Sequence, residues 1–216
     1  MLEESRPVET FEFNGGRLCL DFINTLSDRF LPTPSEVLDT YTDLLIWSRH
    51  ADILTNERVR RLQSKAEQQP ELAVHCLAAI KLVRARLFQL FSTIAAGEVA
   101  PSEEVEQFNQ TLSESMAHLC LLPNESGFTW GWAGAEDHLE LPLWYIVHDA
   151  ADLLAAPELQ HVRVCASPKC DWLFLDTSKN HRRRWCDMKV CGNRAKARRY
   201  YGRQRLIKQE PLSPPL

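Results

Sequence analysis

No apolar run in the 216 residues approaches the roughly 20 that a membrane-crossing helix needs. The opening residues, MLEESRPVET, lack the basic start and apolar stretch of a secretory signal, so the expectation is a cytoplasmic protein. Also missing are the short motifs of nucleotide and hydrolytic chemistry: G-x-x-x-x-G-K-[ST], G-x-G-x-x-G, H-E-x-x-H and G-x-S-x-G. With no catalytic constellation to build on, the chain reads as a non-enzyme. There is no repeat period and no low-complexity tract, which sets aside solenoids and compositionally biased linkers. The cysteines, seven in all, do not make an even set; with no export signal, this argues against a disulfide framework and for a reducing compartment.

What is present excludes a disordered chain: 44% of residues are hydrophobic and only 25% charged. The formal net charge of −4 hides a division. Residues 1–160 carry 11 basic and 25 acidic side chains, a net −14, whereas residues 161–216 carry 14 basic and 4 acidic ones, a net +10. The cysteines divide at the same place. Cys19, Cys76 and Cys120 are scattered among apolar neighbours and read as buried, reduced thiols. Cys165, Cys170, Cys186 and Cys191 fall together in the basic quarter.

The acidic part reads as mainly helical with a small antiparallel sheet. Thr10–Asn14 alternates, Gly15-Gly16 offers a hairpin turn, and the apolar run 18–23 is either the second strand or a helix start. Ser35 is expected to cap a helix through Ser48, and Thr55 a second one. Pro70 opens the longest periodic segment, with apolar residues from Leu72 to Ile94 at spacings of three and four and Gly97 at its end. A further helix follows Pro101 to Met116, a hairpin turns at residues 124–127, and another helix covers 140–155. These elements define an expected sensor or dimerisation domain over 1–160, a cysteine module with a basic helix over 161–208, and a frayed tail over 209–216.

In the cysteine module, two pairs with four residues inside each (165/170 and 186/191) are separated by 15 residues. Each pair forms one bend that aims two sulfurs at a shared centre, the arrangement of a tetrahedral four-thiolate Zn²⁺ site. Four protein ligands leave no open position for substrate, so one structural zinc ion is expected; His181 or Asp187 in place of a sulfur is the alternative ligand set. Residues 172–175 and 182–185 are expected as the two strands of a zinc-ribbon-like hairpin. So small a module buries too little apolar area to stand without the metal.

Around these cysteines the sequence resembles a known family. Cys191-Gly192-Asn193-Arg194 spells the motif for which the bacterial CGNR zinc-finger proteins are named, and the stretch from Asp176 through Ser178, Asn180, Arg183-Arg184-Trp185-Cys186 and Met188 to Lys196 is similar to the family pattern. Phe13-x-Gly15-Gly16-Arg17-Leu18-Cys19-Leu20-Asp21-Phe22-x-Asn24-Thr25 is similar to the opening of the domain that precedes the finger in these proteins. The resemblance implies a transcription regulator, described as stress-related, that binds DNA through a C-terminal zinc module.

The charges support that expectation independently. Residues 193–208 lack proline and read as a helix, with positions 194, 198 and 205 on one side and 196, 199 and 203 on another. A helix positive on most sides repels itself, and a phosphate backbone is its simplest partner. Arginine supplies eight of the 11 basic residues from 182 to 208, and its planar fork suits phosphate and guanine. The candidate nucleic-acid contacts are Arg182, Arg183, Arg184, Arg194, Lys196, Arg198, Arg199 and Arg203. Trp172 and Trp185 read as packing residues, and Tyr200 or Tyr201 as the anchor of the helix. Competing readings are an RNA- or acidic-protein-binding module, and a basic face docked on the chain's own acidic part. In that acidic part, Asp21, Asn24, Arg29, Trp144 and His148 are the candidate residues of an effector pocket, against a plainer reading in which Asp21 and Asn24 brace the N-terminal turn. A homodimer would ease recognition of a two-part DNA site, but no interface is legible.

Overall fold

The computed structural model describes residues 11–134 and 138–209, with side chains described as far as Tyr201. Of the frayed tail expected over 209–216, Gln209 is the last residue of a helix, and residues 210–216, like the N-terminal ten residues, lie outside the described residues.

The centre of the molecule is a short helix, α1 (Leu18–Ile23), with five of its six residues buried. The hairpin considered for this segment is not formed. Six residues, apolar but for Asp21, fit strand and helix equally by periodicity, and here two side chains decide. The Gly15 N–H donates to Asp21 Oδ1 at 2.7 Å, so the chain wraps over the first turn. A Cβ at Gly15 would meet Asp21 N at 2.9 Å, so that approach requires glycine. From the other side Asp149 accepts from Cys19 N at 2.8 Å and from Arg17 Nε at 2.9 Å. A carboxylate thereby meets the unpaired N–H groups at the start of α1.

Helices α2 (Tyr41–His50) and α3 (Asn56–Gln68) follow. The start of α2 lies five residues later than expected. Thr40 and Asp43 form a reciprocal capping box there, whereas Ser35–Glu36 forms a strand (β2) antiparallel to Leu26–Ser27 (β1). Thr55 caps α3 as expected. The long helix α4 (Pro70–Ala95) has proline in its first turn, buries Ala73, Leu77, Ile80, Val83, Leu87, Leu90 and Phe91, and gives way at Gly97, whose φ of 79° suits a residue without Cβ. Its Arg84 is buried and grips Glu36 of β2 with both Nη atoms, at 2.8 and 2.5 Å. Helix α5 (Ser102–Met116), the hairpin β3 (Leu119–Asn124) and β4 (Gly127–Trp132), and helix α6 (Leu141–Ala155) occupy their expected places. Helices α4 and α6 both pack on α1 and also meet α5, while α2 joins α4 and α6. Of the scattered cysteines, Cys19 and Cys76 are buried, but Cys120 on β3 is only half-buried.

One turn of 3₁₀ helix (Pro157–His161) leads into β5 (Val162–Val164), which pairs antiparallel with β6 (Leu173–Leu175). This corrects the expected hairpin: residues 182–185 form no strand, and the partner of β6 lies before the first cysteine rather than between the pairs. The outer edge of β6 is taken by side chain and backbone from the N-terminal region. Asn24 accepts from Leu173 N (2.9 Å) and donates to Leu173 O (2.8 Å), and Leu175 N donates to Gly15 O (2.7 Å). A π-helical turn (Met188–Gly192) capped by Asp187 feeds directly into α7 (Asn193–Gln209), the helix expected after Gly192. Among the described residues no helix is long and apolar enough to cross a membrane.

Candidate metal centre and basic surface

Cys165 and Cys170 occupy the bend between β5 and β6, Cys186 lies just before the π-helical turn and Cys191 within it. The backbone ties the two bends together: Ala166 N donates to Arg184 O at 2.8 Å, and Cys186 N points to Cys165 Sγ at 3.5 Å. The four sulfurs lie within 4.8 Å of one another, and the close pairs are 170–186 at 3.6 Å and 186–191 at 3.8 Å. Zn–S bonds of about 2.3 Å directed to tetrahedral corners place sulfurs about 3.8 Å apart, so the cluster has the dimensions of a zinc tetrahedron. All four are free thiols, and three are buried.

The charge state of the cluster points the same way. Hydrogen bonds from Cys170 and Cys186 hold the Cys165 sulfur far below the thiol range, while the proton on Cys186, shared toward Cys165 and Cys170, is pushed far up. The Cys165 sulfur ionises readily while Cys170 and Cys186 hold their protons; a divalent cation takes the place of those protons and binds the sulfurs as thiolates. The residues therefore fit one structural zinc ion. The alternative ligands are elsewhere engaged. His181, in the left-handed region at φ 47°, stacks on His161 and uses Nδ1 toward Asp176 O; Asp187 accepts from Val190 N. Phe174, fully buried, shares a small core with the cysteines, against which Trp172 and Trp185 pack. Their expected packing role is what the structure gives.

The structure separates the candidate basic residues into two kinds. Arg183 is half-buried over the Phe174 ring and donates to the carbonyls of Trp185, Cys186 and Asn14. It braces the metal loop against the N-terminal segment and is not a free cation. Arg182, Arg184, Arg194, Lys196, Arg198 and Arg199 are exposed. Arg184 lies 5.5 Å from the Trp185 ring, and Arg198 reaches Ser167 Oγ at 3.4 Å. The Arg203 side chain lies outside the described ones. Tyr200 and Tyr201 are 60% and 65% exposed and meet each other edge to face, so neither anchors α7. What holds α7 is its continuity with the π-helical turn.

The candidate effector residues are not gathered around one cavity. Asp21 and Asn24 bond to Gly15 and Leu173 as above. Arg29 pairs with Asp171 at 3.2 Å, donates to Ile23 O and lies over Phe88. Trp144 is buried and stacks on His118 at 4.0 Å, and His148 faces Asp152 at 3.5 Å. A cavity of about 350 Å³ instead lies between the loop carrying Phe30 and Leu31 and the bend carrying Pro168, Lys169 and Cys170. Nothing in the pattern of residues 27–31 announced it, because its second wall is 140 positions away.

Comparison with known families covers most of the chain. Residues 161–204 match the CGNR zinc finger, and residues 16–157 match ABATE, described as "putative stress-induced transcription regulator". Both descriptions are of regulator and zinc-finger types rather than of enzymes. Among curated proteins none matches the chain. With about two thirds of its residues on the ABATE model and a CGNR zinc finger after it, the chain belongs to the family described as putative stress-induced transcription regulators.

Proposed function

We propose that the chain is a DNA-binding regulator in which the zinc-held loop presents α7 and its flanking arginines to the phosphate backbone. The observation that carries this reading is the state of the cations. Arg182, Arg184, Arg194, Lys196 and Arg199 are exposed, and none makes an ion pair among the described residues. No described carboxylate of the acidic part forms an ion pair with them. The ion pair that joins it to the finger runs the other way, with Arg29 on the acidic side and Asp171 on the finger. A positive surface left unpaired beside a part of net −14 is suited to an external polyanion.

The test is equilibrium binding to duplex DNA, RNA and polyglutamate over a range of salt. Each phosphate neutralised contributes about −0.9 to the slope of log K against log salt on duplex DNA. A slope of about −4 or steeper, with duplex preferred, is the expected result. A flat slope refutes electrostatic nucleic-acid binding, and tighter binding to RNA or polyglutamate replaces DNA with that partner.

Ligand gating belongs to the same proposal, with the effector in the cavity between residues 28–31 and 167–171. A molecule seated there touches both the acidic part and the bend that holds two zinc ligands. The expected hit from a metabolite panel raises the melting temperature of the wild type but not of Leu31→Glu. A shift that survives this substitution places the effector elsewhere.

A further inference from the structure

The hairpin β3–β4 rests on α6 at its base, through Trp132. Its register pairs Leu119 with Trp132, Leu121 with Trp130 and Pro123 with Phe128, so these six residues share one face. At the base, Trp132 is buried and packs edge-on to Tyr145 and His148 and beside Trp144. Beyond that pair the same face continues into solvent: Leu121 is 55% exposed, Trp130 64% and Phe128 72%. Two residue pairs at about 3.4 Å per residue make an arm that projects roughly 14 Å with an apolar face. Leu122, on the opposite face and folded over Gly131, is 39% exposed.

We propose that this arm is the surface on which two copies of the chain associate, each hairpin laying its Leu121–Trp130–Phe128 face against the other about a two-fold axis. Charge argues for a second copy rather than a charged partner. From Leu119 to Trp132 the only charged side chain is Glu125, at the turn. The rest of the 1–160 segment is strongly acidic, so two copies meeting elsewhere on it bring carboxylates together. On this arm they do not. An acidic or basic partner, in turn, finds no charge to pair with.

Area sets the strength. The exposed parts of Phe128, Trp130 and Leu121 amount to roughly 300–400 Å² per copy, within the range of apolar patches that mark interaction sites. Roughly 700 Å² over both copies is below a standard interface of about 1,200–2,000 Å², so the expected dimer is weak and concentration-dependent. The proposal stands apart from DNA binding, since it uses no residue of the finger.

The test is sedimentation velocity of the full zinc-loaded chain from about 1 to 100 μM. The wild type is expected to shift from monomer toward dimer across this range. Trp130→Glu and Phe128→Glu are each expected to raise the dissociation constant at least ~30-fold, the effect of losing a central aromatic anchor. Val99→Glu, at a residue 92% exposed between α4 and α5, is expected to leave it unchanged. Circular dichroism checks that each variant is folded; should Trp130→Glu unfold, Phe128→Glu near the turn decides. A wild type that stays monomeric at 100 μM overturns the proposal, as does a dimer that both arm variants leave intact.

Discussion

Asp21 shows how one buried side chain acts on the whole fold. Burial raises its carboxyl to about 7, opposed by the Gly15 N–H and reinforced by the charge of Asp149. The folded chain thus favours the protonated form, while the unfolded chain releases its proton near 4. Stability contributed at this site is complete below about pH 4 and falls as the pH rises to about 7. Asp21→Asn keeps an acceptor for Gly15 and removes the ionisation. It is expected to be about 2 kcal/mol more stable than the wild type at pH 8 and equal to it at pH 4. Urea unfolding at the two pH values checks this; an equal difference at both would refute it. Asn24 works in the opposite sense. Its amide occupies both hydrogen-bonding groups of Leu173 in a buried setting, so Asn24→Ala leaves two backbone groups unsatisfied. A loss of about 2–4 kcal/mol in unfolding free energy is expected. The roles of both residues were half legible. Asp21 and Asn24 read as braces of the N-terminal turn, but their partners were not legible, because Gly15 N and Leu173 are backbone groups and leave no mark in side-chain patterns.

Among elements, those whose pattern is local were readable and those decided across the chain were not. The long helix α4 carries its own evidence in apolar spacing, an opening proline and a closing glycine. The hairpin at 124–127 does so in its turn residues. Helix α1 was ambiguous because five apolar residues around Asp21 carry no clear period, and Asp149 and Gly15 resolve it from outside. The partner of β6 was misread for the same reason: β5 and β6 are three residues each, and the bend that joins them is set by the metal site. That bend yields a prediction that separates Arg183 from its neighbours. One zinc per chain is expected by metal analysis, lost in Cys186→Ser and retained in Cys120→Ser. Arg183→Ala removes the bonds to the Trp185 and Cys186 carbonyls, so it is expected to weaken zinc retention against a chelator about tenfold or more. Arg199→Ala, exposed and without such bonds, is expected to leave zinc retention unchanged and to act only on DNA affinity.

For the molecule as a whole, the informative quantity is the separation of charge rather than its sum. The four-thiolate zinc site adds about −2 to the finger, but α7 lies beyond it and remains positive. Residues 193–216 hold seven basic side chains and one acidic one, so a chain ending at Gly192 carries a net −10 in place of −4. Helix α7 packs on the π-helical turn and, through Arg198, on Ser167; the cysteines, Phe174 and the Asn24–Leu173 bonds all lie before it. The truncated chain is therefore expected to keep its single zinc and to melt within a few degrees of the full chain. Its affinity for duplex DNA at about 100 mM salt is expected to fall at least 100-fold, with the salt slope shallower by several units, because most free cations are gone and the remaining surface repels phosphate. Arg194→Ala, Lys196→Ala and Arg199→Ala combined in the full chain give the graded form of the same measurement, a slope shallower by about 3 with unchanged melting. A truncated chain that still binds DNA with the full slope would move the nucleic-acid surface away from α7, onto the Arg182–Arg184 loop.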